Sequence, residues 1–177
     1  MPAAIIGLLF DEVFERLFYN PICIAIALIV FGVAFIAIED RRRKPTKEKN
    51  SQITYKDAFI IGIFQLIAAI FPGTSRSGAT IIGGLLIGLS RPNAADFTFY
   101  LAIPTMFGAS LLKLIKFGLN FTGAELAILL VGMAVSFIVS LFVIKFLLNY
   151  IKKHNFKVFG YYRIILGLIV LAYFLLK

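Results

Sequence analysis

The chain has 177 residues, of which 60% are hydrophobic and only 15% are charged. Soluble domains are nearer half apolar and a quarter charged, so this composition excludes a soluble enzyme, a disordered tail and a disulfide-rich secreted module. The 18 Lys and Arg against 9 Asp and Glu give a formal net charge of +9. These cations cluster at the ends of apolar runs, as in membrane proteins, and do not indicate a nucleic-acid partner. The sequence predicts one all-α, multi-pass domain in the lipid bilayer over residues 1–177.

The opening segment, from Met1 to Tyr19, is apolar but is interrupted by Asp11, Glu12, Glu15 and Arg16. No basic region precedes the apolar run, so it does not have the pattern of a signal peptide. The pattern predicts the end of a membrane helix followed by an amphipathic turn at the interface. Because it begins in the middle of such a pattern, we expect the domain to be incomplete at its N-terminus.

The next segment pairs an uncharged run with a basic one. Ile22 to Ile38 contains seventeen residues without a charge, which as a helix would cover about 26 Å. Glu39 to Lys56 contains seven Lys or Arg residues and is predicted to be a cytoplasmic loop by the positive-inside rule. Its run from Arg41 to Lys44 has the composition of a nucleic-acid patch, but a loop flanking the membrane is favoured.

Residues 58–89 predict a re-entrant pair of half-helices. Ala58 to Phe71 and Gly78 to Leu89 are apolar, but neither run is long enough to span a bilayer alone. Pro72 and Gly73 between them disfavour one continuous helix, because proline lacks a donor and glycine is conformationally free. Irregular backbone at membrane depth is tolerated where it is buried in protein or lines a watery cavity.

Three further helices follow in the sequence, at Asn93 to Phe117, Gly123 to Tyr150 and Val158 to Leu176. Pro104 predicts a bend near Ala102 in the first of them. The whole pattern gives four to five transmembrane helices plus the re-entrant pair, the second half of an inverted-repeat fold. Placing the 39–56 loop in the cytoplasm leaves most cations on that side, as the positive-inside rule requires.

The candidate site is the polar turn between the two half-helices. Arg76 is the only charge between Asp57 and Arg91, and an arginine at membrane depth is a functional-site hypothesis by default. Ser77 is expected to cap a helix beginning at Gly78. The backbone N–H groups of Gly78, Ala79 and Thr80 would then face the guanidinium, forming an anion site of the kind that binds phosphate.

Two other interpretations of this turn compete with the anion site. The hydroxyls and glycines fit a polar turn satisfied by neighbouring backbone, although that interpretation leaves Arg76 unexplained. A nucleotide-binding P-loop is the second alternative, since Gly73 to Gly78 has the G-x4-G spacing. Ala79 stands where a P-loop requires lysine, and no strand precedes the turn, so the P-loop is disfavoured.

The stretch PGTSRSGAT, from Pro72 to Thr80, resembles the signature of the undecaprenyl-diphosphatase family, the membrane phosphatases linked to bacitracin resistance. The residues that also resemble the family are Gln65 upstream and Gly83, Gly84, Arg91, Pro92, Ala94, Ala95 and Phe97 downstream. The resemblance implies a bacterial plasma-membrane hydrolase that converts undecaprenyl diphosphate to undecaprenyl phosphate and inorganic phosphate. Such an enzyme recycles the lipid carrier of cell-wall synthesis, and its active site would face the outer side.

The resemblance also implies roles for residues of the turn. Arg76 would hold the diphosphate, and Ser75 and Thr80 would donate hydrogen bonds to its phosphates as the other catalytic candidates. The candidate substrate-binding residues are Gly73, Thr74, Ser77, Gly78, Ala79 and Gln65. The implied cofactor is a divalent cation, Mg²⁺ or Ca²⁺, with no ligands in this chain. The single His154 and the single Cys23 leave no zinc site of the usual kind.

The sequence departs from the family at its beginning. The family has a first repeat with an acidic E-x3-E motif and a turn containing serine and histidine, and nothing here matches it. We therefore expect this chain to correspond to the C-terminal two thirds of a family member, binding weakly and turning over slowly or not at all by itself. The alternatives are a transporter or flippase-like protein that binds a phosphorylated lipid or anion without cleaving it, and a non-catalytic fragment that is stable only through self-association.

Overall fold

The computed structural model describes residues 17–41, 44–118 and 122–176. The described residues form six α-helices and no sheet. The helices are α1 (Pro21–Asp40), α2 (Tyr55–Ile70), α3 (Arg76–Leu86), α4 (Arg91–Phe117), α5 (Gly123–Lys153) and α6 (Lys157–Leu176). The turn predicted around Asp11 to Arg16, together with Arg42 and Arg43, lies outside the described residues.

Four of these helices are long and apolar enough to cross a membrane, namely α1, α4, α5 and α6. The other two, α2 and α3, have 16 and 11 residues and are shorter than the roughly 20 residues that a bilayer requires. The prediction of an all-α, multi-pass membrane protein is confirmed. Helix α4 continues through Pro104 as a single element, and the bend near Ala102 stays a prediction.

The two short helices form a hairpin. Gly83 of α3 lies so close to α2 that a Cβ atom on it would be 2.8 Å from the Phe64 ring. Both ends of the hairpin meet at Lys47, whose ammonium group contacts Asp57 at 2.6 Å and whose carbonyl accepts from the Ser90 N–H at 3.1 Å. The hairpin thus begins and ends beside Lys47, as predicted for residues 58–89. Its turn, at Pro72 and Gly73, lies at the opposite end of the two short helices.

Helices α1 and α6 pack closely at glycines. A Cβ atom on Gly160 would lie 2.8 Å from the carbonyl oxygen of Gly32, and one on Gly167 would lie 2.8 Å from that of Ala25. Without side chains at these points the two backbones come into direct contact, which is how membrane helices gain packing energy in the absence of a hydrophobic driving force. The α1–α6 pair forms the support against which the α2–α3 hairpin lies.

Ion pairs join the helices at the end that carries the basic loop. Glu39 of α1 is buried and pairs with Arg91 at the start of α4, where Arg91 Nε donates to Glu39 Oε1 at 2.8 Å. Asp40 pairs with Lys157 at the start of α6. These contacts fix the ends of α1, α4 and α6 relative to one another, so the hairpin between them has a defined position.

The Lys47–Asp57 pair at the start of α2 predicts a pH-dependent stability. The hydrogen bond from Lys47, together with that from the Thr54 N–H, lowers the pKa of Asp57 to about 2 from its ordinary 3.8. Because the folded pKa lies below the unfolded one, the ionised carboxylate stabilises the fold above about pH 4 and loses this effect as the pH falls toward 2. We expect Asp57→Asn to lower the melting temperature at neutral pH.

Melting of the purified protein followed by size-exclusion chromatography at several pH values would measure this effect. The melting curves of the wild type and Asp57→Asn are expected to converge as the pH falls from about 4 to about 2. A gap between them that stays constant down to the lowest pH would show that ionisation of Asp57 contributes nothing to stability.

Candidate anion-binding site

Helix α3 begins at Arg76, and Ser75 is its N-cap. Ser75 Oγ accepts from the Gly78 N–H at 3.2 Å, and the Ser75 carbonyl accepts from the Ala79 N–H at 3.0 Å. The prediction that Ser77 caps a helix starting at Gly78 is therefore wrong by two residues. Serine is favoured at an N-cap whichever position it occupies, so the sequence alone did not distinguish Ser75 from Ser77.

This cap changes which backbone amides face outward. The N–H groups of Gly78 and Ala79 donate to Ser75, so the expectation that these two amides are free is wrong. The Thr80 amide lies a turn into the helix, where α-helical geometry pairs it with the Arg76 carbonyl. The amides that the helix leaves without an intrahelical acceptor are those of Arg76 and Ser77. An anion at this N-terminus would meet the guanidinium and these two amides together.

Ser75 adopts a backbone conformation that is unusual for a residue with a side chain. Its φ of 65° lies in the left-handed region, which costs an L-residue roughly 1–2 kcal/mol. Strained residues of this kind persist where the surrounding structure over-determines them, and they cluster at functional sites. This conformation occurs at the sharp turn before Arg76, where Ser75, Arg76 and Ser77 are all exposed.

Arg76 lines a cavity of about 380 Å³. Gln65 of α2 and Ser77 and Thr80 of α3 line the same cavity, so the structure brings four of the predicted site residues together. Arg76 is the only charged side chain among the described residues that line it. Its side chain is exposed and has no hydrogen-bond or ion-pair partner in the described part of the chain. The guanidinium is therefore available to an anion entering this cavity.

Thr80 takes part in a buried hydroxyl pair rather than pointing freely outward. Thr80 Oγ1 lies 2.9 Å from Thr98 Oγ1 of α4 and 3.0 Å from the Ser77 carbonyl, and both threonines are buried. Thr98 also donates to the Ala94 carbonyl at 2.8 Å. Thr98 was not among the predicted site residues, although hydroxyls within membrane helices often form hydrogen bonds to neighbouring helices. The role of Thr80 as a donor to phosphate stays a prediction. In the structure the hydrogen bond between Thr80 and Thr98 joins α3 to α4.

Three of the predicted binding residues are packed against other parts of the protein, namely Thr74, Gly78 and Ala79. Thr74 is buried, and its Oγ1 donates to the Phe71 carbonyl at 2.8 Å. Gly78 lies against Phe35, whose ring a Cβ atom would approach to 3.1 Å. Ala79 is fully buried within the packed face of α3. These residues shape the turn and its support, and direct contact with a ligand stays a prediction for each of them.

Gly73 is held between two helices. Its φ is +92°, and a Cβ atom there would lie 2.8 Å from the Ile24 carbonyl oxygen of α1. Its own carbonyl accepts from Arg163 Nη2 of α6 at 2.5 Å. Only glycine combines this backbone conformation with such a close approach. The turn is thus fixed from both sides by the α1–α6 pair.

A second cavity, of about 250 Å³, lies beside the first. Ser75, Ser77 and Arg163 line it, and most of its remaining wall is aromatic and aliphatic. Arg163 was not among the predicted site residues, although it lies within a predicted membrane helix. The rule that singled out Arg76, an ionisable residue at membrane depth, applies to Arg163 as well.

The described residues do not form a metal centre. They contain no group of three or more His, Cys, Asp or Glu side chains close enough to share an ion. The described lining of both cavities consists of arginine, amide, hydroxyl and apolar side chains. Divalent Mg²⁺ and Ca²⁺ prefer carboxylate oxygens, so the described residues do not fit the implied cation as its ligands.

The fold defines an all-α, multi-pass membrane protein, and its candidate anion site lies at the turn of a helical hairpin. Residues 1–169 match the family described as Bacitracin resistance protein BacA, and the chain belongs to that family.

Similar proteins cover this chain almost completely. The undecaprenyl-diphosphatase of Desulfitobacterium hafniense is 66% identical over 98% of this chain and 63% of its own length. Undecaprenyl-diphosphatase 1 of Clostridium acetobutylicum is 60% identical over 99% of this chain and 65% of its own length. The undecaprenyl-diphosphatase of Enterococcus faecalis is 60% identical over 97% of this chain and 62% of its own length. The resemblance first noted at Pro72 to Thr80 is thus confirmed, and the chain spans less than two thirds of the length of these relatives.

Proposed function

We propose that this chain carries the phosphate-binding part of an enzyme that hydrolyses undecaprenyl diphosphate to undecaprenyl phosphate and inorganic phosphate. The observation that carries the proposal is Arg76, an unpaired guanidinium beside the free amides at the N-terminus of α3. A charged fork and a helix N-terminus together favour a phosphate group. The names of relatives up to 66% identical support the same substrate.

The contribution of these residues to hydrolysis would be electrostatic. During attack of water on the terminal phosphorus, negative charge moves onto the bridging oxygen and the lipid phosphate leaves. Arg76 and the amides of Arg76 and Ser77 would stabilise that charge, and Gln65 lines the same cavity. The cation, Mg²⁺ or Ca²⁺, would add positive charge to the diphosphate, with ligands other than the described residues.

The bacterial plasma membrane is the proposed location, since the lipid carrier of cell-wall synthesis is present there. We also propose that the protein self-associates, because the unburied span of α5 carries small residues at every fourth position, Gly132, Ser136 and Ser140, which let another helix pack closely. Measurement of the protein's mass in detergent by light scattering tests this: a single copy per micelle would contradict self-association. Neither statement affects the assignment of the substrate.

Phosphate release from undecaprenyl diphosphate tests the proposed function directly. The purified chain would be placed in lipid nanodiscs with Mg²⁺, and inorganic phosphate would be measured beside binding of the lipid. Release that depends on Arg76 supports the proposal. Tight binding without release at any protein concentration would indicate a protein that binds the phosphorylated lipid but does not cleave it.

Removal of divalent cations is expected to abolish phosphate release. With two phosphates carrying several negative charges, a single exposed guanidinium leaves much of the charge in the transition state uncompensated. Treatment with EDTA should stop release, and added Mg²⁺ or Ca²⁺ should restore it. Full activity in EDTA would contradict a requirement for a divalent cation and would leave the role of Arg76 unaffected.

A further inference from the structure

Arg163 is a buried cation next to the turn. It is the seventh residue of α6, about 9 Å along that helix from Lys157, and it is 8% exposed. One of its Nη groups donates to the Gly73 carbonyl at 2.5 Å. Ninety positions separate the two residues in the sequence, so only the tertiary fold brings this charge to the turn.

The charge of Arg163 is not balanced within the described residues. No carboxylate there forms an ion pair with it, and its Nε is buried without a hydrogen-bond partner. A buried cation without an anion is costly, and a buried donor without an acceptor adds to that cost. An anionic ligand that reached this guanidinium would remove both costs.

The position of Arg163 relates it to Arg76. Arg163 lines the cavity of about 250 Å³ together with Ser75 and Ser77, and Arg76 lines the cavity of about 380 Å³. Ser77 and Thr98 line both cavities. The two guanidiniums therefore line neighbouring cavities that share Ser77 and Thr98, so a ligand with two linked phosphates would have a separate cation for each.

We propose that Arg163 is a second phosphate-binding residue, so that the diphosphate of the lipid is held between Arg76 and Arg163. This inference rests on the proposed function and goes beyond it by assigning a second anion subsite. The remaining wall of the Arg163 cavity, which includes Phe35, Phe99 and Phe159, is apolar. It suits the isoprenoid carbons that adjoin the phosphates.

The test compares farnesyl diphosphate with farnesyl monophosphate, both binding to the purified chain in nanodiscs. A diphosphate uses both guanidiniums, whereas a monophosphate uses one and leaves the other free. We expect Arg163→Gln to weaken diphosphate binding by about tenfold to a hundredfold, as for loss of a hydrogen bond to a charged group. Monophosphate binding should change much less, so the preference for diphosphate is lost.

A purely structural role for Arg163 predicts a different result. If its only function were to hold the Gly73 carbonyl, Arg163→Gln would displace the turn and with it Arg76. Binding of the diphosphate and of the monophosphate would then weaken equally. An unchanged ratio of diphosphate to monophosphate affinity would overturn the proposal. Lys113→Gln is the matched control, because Lys113 is an exposed cation of α4 outside both cavities, and it should leave both affinities unchanged.

A second variant covers the case in which Arg163→Gln does not fold. Arg163→Lys keeps the charge, but an ammonium group lacks the planar fork that can contact the Gly73 carbonyl and a phosphate together. The affinity ratio should fall in this variant as well, and an unchanged ratio would overturn the inference. Failure of the wild type to bind either ligand would instead overturn the proposed function.

Discussion

Replacing Arg76 with alanine is expected to lower kcat/KM for undecaprenyl diphosphate by about a hundredfold to a thousandfold. Arg76 is unpaired in the described structure, so its charge is free to act on the ligand. Losing it removes a charge-assisted interaction that strengthens as negative charge develops on the phosphates. Arg76→Lys keeps the charge without the planar fork and should retain an intermediate activity. Phosphate release at varied lipid concentration measures both variants.

The matched control for Arg76→Ala is Lys113→Gln, which removes one positive charge from the exposed surface of α4. Both variants change the net charge equally, so a loss of activity confined to Arg76→Ala would come from the site. Melting temperatures of the two variants should match that of the wild type, since neither side chain contributes an ion pair in the described residues. Near-normal turnover by Arg76→Ala would refute the assigned site.

Gly73→Ala is expected to reduce both stability and phosphate release. The added Cβ would lie 2.8 Å from the Ile24 carbonyl oxygen, a contact that must be relieved by moving backbone. Positive φ adds roughly 1–2 kcal/mol of strain. Because the Gly73 carbonyl also accepts from Arg163, the displaced turn would lose that hydrogen bond. We expect a drop in melting temperature together with at least a tenfold loss in kcat/KM.

Gly118→Ala separates the two causes. Gly118 has a φ of +87°, close to that of Gly73, but a Cβ atom there would meet nothing within 4 Å. This variant carries the backbone strain without the contact, so it should cost about 1 kcal/mol of stability and no activity. Equal effects of the two substitutions on phosphate release would show that the approach of Ile24 to Gly73 is irrelevant to the site.

The sequence predicted the helices well, because their signals are local. Long apolar runs gave α1, α4, α5 and α6 to within a few residues, and Pro72 with Gly73 gave the break between α2 and α3. The start of α3 was misplaced because Ser75 and Ser77 both suit an N-cap. Choosing between them depends on the left-handed conformation of Ser75, which surrounding contacts impose and local preference opposes.

The site was predicted only in part for a related reason. Arg76, Ser77 and Thr80 lie within five residues of one another, and Gln65 precedes Arg76 by eleven residues, so one short stretch of the chain contains them all. Thr98 and Arg163 reach the same place from α4 and α6. Their contribution depends on how those helices pack against the hairpin, and no spacing within a single chain segment encodes that packing.

The contact between the start of α2 and Lys47 also bears on the depth at which a ligand would meet the candidate site. A 16-residue helix that starts at the end carrying the basic loop extends about 24 Å, which is less than the thickness of a hydrocarbon layer of about 30 Å. The turn at its far end, which Arg163 reaches from a point about 9 Å along α6, would then lie inside the hydrocarbon layer and not at its surface. A charged headgroup bound there would sit below the headgroups of its own leaflet, and only a cavity lined by polar groups, such as the one beside Arg76, can hold a charge at that depth.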